Sequence, residues 1–522
     1  MPDYMYLLES RLSPEQRAVL ERVQELSRSQ DVNIYLSGGA VRDLISGQPI
    51  RDLDFTVEGN PVRMVRELEK GGARTLWESE KLRHYEVIFA GDVDGSISGA
   101  RDDVYEKPGA KPEVRFSGIM EDLRRRDFSI NAIAISLNTQ SRGLLLDPTN
   151  GLADLEKQEV RALTNHAFTN QPIRLMRILR YCARMNFRME SRTQEWFDLA
   201  IERELHKNLG GADVGNEVRS LAREDNPVAT LKQWESREML AAIHPNLPRR
   251  KPDYDSLNKL ARVRGNLMES GLRPRLNVPV MYYTLGRLKD REAATAMRNI
   301  ELRASEIKEV DELVGHAQKI VQDLKGRKTN APKDAYFYLA SVPPEMIGFI
   351  EVEMPNPKAS SKIRNYLQKW RPLRLGLPVG ELDALGVARG PKFDKIIEEL
   401  FELQLRGRGR DPESRVKILR NLAGIKDEPK KKPEKEKKRK GKDAGVPEGK
   451  HDKSKGEAAA ATPAAAVAKP ASSSEKPAIA TAATSATKVK GKPAKAGTER
   501  ASGKHAGAST KSKGRAAKSG RR

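Results

Sequence analysis

The chain has 522 residues and a formal net charge of +23 at pH 7. This length exceeds what one hydrophobic core usually organises, so we expect two or more globular units. The single cysteine, Cys182, excludes an internal disulfide and a cysteine-rich zinc site. The N-terminus has neither the basic nor the apolar region of a signal peptide, and no run of about 18 apolar residues occurs. We therefore expect an unexported, cytoplasmic protein without a membrane partner.

The charge is concentrated at the C-terminus. Residues 426–522 contain 27 Lys or Arg and 10 Asp or Glu, so this segment supplies +17 of the total of +23. The segment has no aromatic residue and cannot bury enough apolar surface to offset its chain entropy. We predict a disordered basic tail, which would either bind RNA through charge alone or act as an inert solubilising extension.

The first predicted elements form an α/β unit. Ser13-Pro14-Glu15-Gln16 combines an N-cap, a proline and a capping-box glutamine, and it predicts a helix that runs to residue 29. The elements that follow are a strand at 33–36, a Ser-Gly-Gly turn, a helix at 40–45 and a strand at 52–57. Residues 68–110 indicate short strands around a mobile loop. From residue 168 to residue 425, helical patterns dominate.

Asp52 and Asp54 are the first candidates for catalysis. They stand two residues apart on a predicted strand, so both carboxylates project from one face. Mg²⁺ prefers carboxylate oxygens, and such a pair could hold the ions that bridge a triphosphate. Taken alone, an Asp-x-Asp triplet is more often a solvated surface pair.

The residues before this strand suggest a phosphate site. Gly38 and Gly39 would let backbone N–H groups approach a triphosphate, and Arg42 would supply charge one helical turn later. In the alternative interpretation, the glycines only make a turn and Arg42 pairs with Asp43.

Three arginines recur at every third position of a predicted helix. At 100° per residue, Arg174, Arg177 and Arg180 drift by about 60° per step and stay on one stripe. Three crowded cations need an anion, which suggests a ligand. The alternative is a solvated basic face.

The assembled pattern resembles a known family. YLSGGAVRDLISGQPIRDLDFTVEG resembles the first motif of the polymerase-β-type branch that contains bacterial tRNA CCA-adding enzymes and poly(A) polymerases. EDLRRRDFSINAIAI, DPTNGLADLEKQEVRAL and QPIRLMRILRYCARMNF are similar to three further motifs in the family's order, over residues 34–187. Weaker similarity continues to VGELDALGVARGPKFDKIIEELFELQLRGRG, which resembles the tail subdomain that grips tRNA.

The resemblance implies an α+β fold with a polymerase-β-type nucleotidyltransferase head followed by all-α neck, body and tail subdomains. The expected divisions are a lead-in helix at 1–30, the catalytic head at 31–160, the nucleotide- and RNA-binding neck at 161–225, the tRNA-binding body and tail at 226–425, and the disordered extension at 426–522.

The implied activity is template-independent addition of CMP and AMP, from CTP and ATP, to the 3′ end of tRNA. Asp52 and Asp54 would hold two Mg²⁺ ions. The implied nucleotide-binding residues are Gly39, Arg42, Arg126, Gln171, Arg174, Arg177 and Arg180, with Arg174 at the base and Arg177 and Arg180 at the ribose and triphosphate. Residues 100–108 resemble a stretch of the CCA-adding branch, and no motif typical of poly(A) polymerases is found, so the sequence favours tRNA.

One position departs from the family pattern. Asn170-Gln171 stands where the family has Glu-Asp, whose carboxylate accepts a hydrogen bond from the amino group of adenine or cytosine. An amide can accept or donate, so the nucleotide preference stays open. Three alternatives therefore remain: poly(A) addition, addition of only C or only A to tRNA, and a catalytically weakened RNA-binding protein whose basic tail does the binding.

Overall fold

A mixed β-sheet organises the N-terminal part of the chain in the computed structural model, which describes residues 3–110 and 112–425. The strands are β1 Ile34–Ser37, β2 Leu53–Val57, β3 Arg74–Ser79, β4 His84–Phe89, β5 Val93–Gly99, β6 Arg101–Val104, β7 Glu113–Phe116, β8 Ala134–Ser136, β9 Leu145–Leu146, β10 Glu159–Val160 and β11 Arg188–Met189. Within the described residues the main sheet has the order β3-β4-β5-β2-β1-β8-β9, and β6 with β7 and β10 with β11 form separate pairs. The central strand β2 runs parallel to β5 and antiparallel to β1.

Helices cover the sheet and then form the rest of the described chain. Those of the sheet-containing part are α1 Tyr4–Arg11, α2 Pro14–Gln30, α3 Gly39–Ile45, α4 Val62–Lys70, α5 Ile119–Arg124 and α6 Gly151–Lys157. The following helices are α7 Ala167–Asn170, α8 Arg174–Met185, α9 Ser191–Glu202, α10 Gly211–Ala222, α11 Pro227–Ser236, α12 Leu247–Arg250, α13 Tyr254–Glu269, α14 Asn277–Leu285, α15 Asp290–Asn299 and α16 Ala304–Lys325. The last are α17 Pro332–Ser341, α18 Pro344–Glu353, α19 Pro357–Asn365, α20 Arg371–Leu375, α21 Val379–Ala384, α22 Pro391–Leu405 and α23 Pro412–Ala423.

The predicted fold class, a sheet-containing head followed by helices, is confirmed. The capping box at the start of α2 is present: Ser13 Oγ accepts from the Gln16 backbone N–H at 3.2 Å, and Gln16 Oε1 accepts from the Ser13 N–H at 3.0 Å. The short strands predicted within residues 68–110 include β4. The predicted disordered tail lies outside the described residues.

Buried apolar side chains join the sheet to the helices. One cluster of buried residues extends from Met5 in α1 to Leu405 in α22, and Leu382, Leu400 and Leu419 belong to a smaller cluster in the last helices. The domain boundaries expected near residues 30, 160 and 225 stay predictions. Among the described residues, no helix is both long and apolar enough to cross a membrane.

Candidate active site

The carboxylates of Asp52 and Asp54 face the start of α3. Asp54 lies in the central strand β2, and Asp52 directly precedes that strand. A Cβ atom placed on Gly39 would lie 3.7 Å from Asp52 Oδ1 and 3.9 Å from Asp54 Oδ2. The two carboxylates therefore share one face, as the spacing predicts, and the missing side chain of Gly39 leaves the space before them open.

Repulsion between these carboxylates is only partly relieved by the protein. Asp54 Oδ1 accepts a hydrogen bond of 2.6 Å from Ser96 Oγ, whereas Asp52 has no side-chain hydrogen bond or ion pair within the described part of the chain. Burial and the negative charge of Asp52 raise the pKa of Asp54 to about 7, although Ser96 and Arg126 act in the opposite direction. The two groups are thus held together at an electrostatic cost that a bound cation would remove.

The carboxylate pair fits a hard divalent cation whose coordination shell is provided partly by the protein and partly by a substrate. The described residues contain no group of three or more acidic, histidine or cysteine side chains arranged to hold a metal ion. Mg²⁺ usually binds through one or two carboxylates and completes its shell with water and substrate phosphates, not through an all-protein cage. Asp52, Asp54 and the open space at Gly39 provide such a donor set.

Arg126 is held against the turn between β1 and α3. Its guanidinium pairs with Asp122 at 2.9 Å and donates to Ser37 Oγ at 2.9 Å and to Thr56 Oγ1 at 3.1 Å. Gly38 has φ +69°, and a Cβ atom there would lie 3.1 Å from Arg126 Nη1. Glycine at position 38 therefore serves both the left-handed backbone and the close approach of this arginine.

Arg42 pairs with Asp43, which is the alternative that the sequence left open. Its side chain is buried, pairs with Asp43 at 2.9 Å and donates to Asn131 Oδ1 at 2.7 Å. The guanidinium also lies 5.0 Å from the ring centroid of Tyr181 in α8. Arg42 thus lines the site, but its side chain is held by bonds to Asp43 and Asn131 and does not extend freely into the cleft.

The arginine stripe of α8 faces carboxylates of α10 and the residues just after it. Arg177 pairs with Glu217 at 2.6 Å and with Asp127 at 3.1 Å. Arg180 pairs with Glu217 and with Glu224, both at 3.0 Å. Although burial alone would raise it, the positive charges of Arg177 and Arg180 lower the pKa of Glu217. The stripe is therefore not a solvated basic face, and two of its three cations, Arg177 and Arg180, have anionic partners inside the protein.

All the predicted site residues line one cleft of about 1090 Å³. They are Gly39, Arg42, Asp52, Asp54, Arg126, Gln171, Arg174, Arg177 and Arg180. The sheet contributes the carboxylates and α8 contributes three of the arginines, so a ligand in the cleft would contact both. A cleft of this size accommodates a nucleotide with room for a second substrate.

The chain is similar to known nucleotidyltransferases. A family model for the poly(A) polymerase head domain matches residues 34–161. An A-adding tRNA nucleotidyltransferase of Geobacter sulfurreducens is 23% identical over 424 residues, covering 80% of this chain and 48% of that protein. The A-adding tRNA nucleotidyltransferase of Halalkalibacterium halodurans is 33% identical over 248 residues, covering 45% of this chain and 56% of that protein. The CC-adding enzyme of Deinococcus radiodurans is 34% identical over 178 residues, covering 34% of this chain and 47% of that protein.

The chain is similar to tRNA nucleotidyltransferases, and its residues 34–161 match the poly(A) polymerase head domain. It spans about half the length of the relatives described above. The matched head domain contains the carboxylate pair and Arg126, whereas the arginine stripe lies beyond it. The inclusion of the arginine stripe in the site is therefore supported by the cleft geometry and by the longer pairwise similarity, not by the head-domain match.

Gln171, which departs from the motif pattern, links Arg174 in the cleft to Tyr105. Gln171 Oε1 accepts from Arg174 Nε at 3.0 Å, and Gln171 Nε2 donates to the Tyr105 hydroxyl at 2.9 Å. The neighbouring Asn170 Oδ1 accepts from the Gly109 backbone N–H at 3.0 Å. Only Gln171 of the two contacts Arg174, so position 171 is the better candidate for base selection.

Glu217 and Glu224 were missed in the sequence, although one signal was available. Glu217 stands on the face of α10 that carries the buried Val214, Val218 and Leu221. A carboxylate on the apolar face of a helix requires a buried cation. That requirement could have linked α10 to the arginines of α8, but the sequence does not identify which cation meets it.

The raised pKa of Asp54 makes the stability of the metal-free protein depend on pH. Because the folded pKa is about 7 and the usual value is 3.8, ionisation of Asp54 destabilises the fold progressively above pH 4, and fully above pH 7. We expect Asp54→Asn to raise the Tm in EDTA at pH 8 and to raise it less at pH 5. The measurement is differential scanning fluorimetry of both proteins. The control is Asp311→Asn, which removes an exposed carboxylate of α16. An equal Tm difference at the two pH values would contradict the assignment.

Removing Glu217 should destabilise the cleft because it leaves Arg177 and Arg180 with excess positive charge in a buried setting. Breaking a buried pair from one side costs about 3–5 kcal/mol, so we expect Glu217→Ala to lower the free energy of unfolding by that order. Urea denaturation would measure the loss. Saturating ATP should restore more stability to this variant than it adds to the wild type. A loss below about 1 kcal/mol, the range of an exposed pair, would show that the network does not stabilise the fold.

Proposed function

We propose that this protein is a nucleotidyltransferase that extends the 3′ end of tRNA without a template. The reaction joins the RNA 3′ hydroxyl to the α-phosphorus of a nucleoside triphosphate and releases pyrophosphate. The observation that carries the proposal is the arrangement of the cleft: an acidic pair beside an open glycine turn, opposite an arginine helix. The lone cysteine also fits a reducing compartment, and we propose the cytoplasm.

Asp52 and Asp54 are proposed to hold divalent cations, with Mg²⁺ as the proposed ion. When bound, such cations would offset charge on the triphosphate and favour ionisation of the 3′ hydroxyl. The residues themselves keep two carboxylates fixed on β2 beside Ser96, so little reorganisation is needed when substrate arrives. The missing side chain of Gly39 lets the triphosphate approach this pair.

The arginines are proposed to contact different parts of the nucleotide. Arg126, fixed by Asp122, stands beside the glycine turn and would contact the triphosphate. Arg174 and Gln171 would contact the base, since they are bonded to each other in the cleft. Arg177 would contact the ribose and triphosphate, because about a quarter of its side chain remains exposed, 26%.

The more deeply buried arginines contribute in a different way. Arg42 and Arg180 have side-chain exposures of 3% and 7% and are fully paired inside the protein. We propose that they act on the nucleotide mainly through their charge and by holding α3 and α8 in place. Such fixed charges are effective in a cleft that excludes water.

The number of nucleotides added has two candidate answers. CCA addition follows from the motifs of the sequence, whereas two of the relatives described above are named A-adding enzymes. Addition of A alone is therefore the second candidate. A tRNA ending at the discriminator base would be extended only by the first activity, and a tRNA already ending in CC would be extended by both.

The transfer assay with these two tRNAs tests the proposal directly. Purified protein, Mg²⁺ and labelled CTP or ATP should give extension of at least one tRNA, with pyrophosphate released. Asp52→Ala and Asp54→Ala should each lower the rate to a few per cent of wild type or less, because each removes a proposed metal ligand. Asp311→Ala, which removes an exposed carboxylate elsewhere, should retain the wild-type rate. Binding of tRNA without any transfer would instead support the RNA-binding alternative.

Nucleotide choice should depend on Gln171. Its amide can accept from the amino groups of adenine and cytosine or donate to the carbonyl groups of guanine and uracil, and its neutral bond is weaker than a charged one by roughly 1 kcal/mol. We expect Gln171→Asp to increase the preference for ATP and CTP over GTP and UTP by about fivefold, the equivalent of that energy.

Single-turnover incorporation of all four nucleotides would measure the change. Asn170→Asp is the matched control, because it adds the same charge at the adjacent residue, which bonds to Gly109 and not to Arg174. Equal selectivity in wild type and Gln171→Asp would remove residue 171 from base selection.

A further inference from the structure

Most arginines that line the cleft are already neutralised by the protein. Within the described residues, ten of the fourteen have a carboxylate within 4 Å: Arg42, Arg51, Arg101, Arg125, Arg126, Arg177, Arg180, Arg184, Arg264 and Arg275. Of the remaining four, Arg174 is buried and bonded to Gln171. The other three are Arg11, Arg223 and Arg273.

Arg11, Arg223 and Arg273 share two properties. Each is exposed, and none forms a side-chain hydrogen bond or ion pair with any residue that the structure describes. Arg11 ends α1, Arg223 directly follows α10, and Arg273 lies between α13 and α14. They therefore come from elements other than those that carry the proposed nucleotide-binding residues.

Unpaired arginines and paired arginines suit different ligands. A paired guanidinium is fixed in position but has much of its charge offset, whereas an exposed, unpaired one keeps its full charge for a phosphate that arrives from solvent. An RNA strand brings one phosphate per nucleotide, and neutralising those phosphates supplies most of its binding free energy.

We propose that Arg223 and Arg273, together with Arg11 of the same cleft, bind the backbone phosphates of the RNA 3′ end whose hydroxyl is to be extended. The inference rests on the proposed function, because it assigns the second substrate of the same cleft. Arg223 lines the same cleft as Asp52 and Asp54, so a phosphate held there belongs to the last nucleotides of the strand. The triphosphate instead meets Gly39 and Arg126 on the other elements.

The test is tRNA binding by the full-length chain as a function of salt. Fluorescence anisotropy with labelled tRNA would be recorded in increasing KCl for wild type, Arg223→Gln, Arg273→Gln and the double variant. The matched control is Arg298→Gln, since Arg298 is also exposed and unpaired in the described structure but lies in α15 outside the cleft.

We expect the double variant to bind tRNA roughly 10-fold more weakly than wild type in low salt and to lose about 1.4 from the slope of log K against log salt, which corresponds to two single-strand phosphate contacts. Each single variant should show about half of this change in slope. The KM of the double variant for tRNA should rise, whereas Arg298→Gln should have the wild-type KM and slope.

Two outcomes would overturn the proposal. In one, the double variant binds tRNA with the same slope as Arg298→Gln. In the other, KM for ATP rises while tRNA binding is unchanged, which would assign these arginines to the triphosphate. Because binding is measured without transfer, a protein that adds no nucleotide would refute the proposed function and still leave the binding result to decide this inference.

Discussion

The close approach of two carboxylates on β2 is the constraint on which the rest of the site depends. Like charges held side by side raise the pKa of Asp54, and Asp52 has no partner among the described residues. A protein would lose this repulsion if one arginine turned towards the pair. Arg126 offsets only part of the repulsion, because Arg126 and Arg42 are held in ion pairs with Asp122 and Asp43, and the site can still be filled by a cation.

This arrangement explains why so much charge is buried between α8 and α10. Arg177 and Arg180 are held by Glu217 and Glu224, which are both buried. Buried pairs contribute little net stability, but they fix the direction of each guanidinium before substrate binds. Ion pairing thereby offsets part of the positive charge of the cleft, and the exposed arginines are left to bind the RNA backbone.

The local parts of this structure could be predicted from the sequence, and the long-range pairings could not. The capping box of α2 and the shared face of Asp52 and Asp54 follow from spacings of two to three residues, and both are confirmed. The partner of Arg177 lies 40 residues away in Glu217. Periodicity shows that the arginines form a stripe, but only the packing of α8 against α10 determines which anion meets it. The structure supplies internal anions for Arg177 and Arg180, and the ligand that the sequence suggested for the stripe stays a prediction.

The most direct test of the account is the proton balance of metal binding. Calorimetric titration of Mg²⁺ into the protein with bound ATP, at pH 6.5 in buffers of different ionisation enthalpy, measures how many protons are released. Because Asp54 has a pKa of about 7 without metal, the account predicts release of more than half a proton per site in the wild type. Asp54→Asn should release none by this route. Equal proton release by the two proteins, or wild-type Mg²⁺ affinity in the variant, would show that the carboxylate pair is not the metal site.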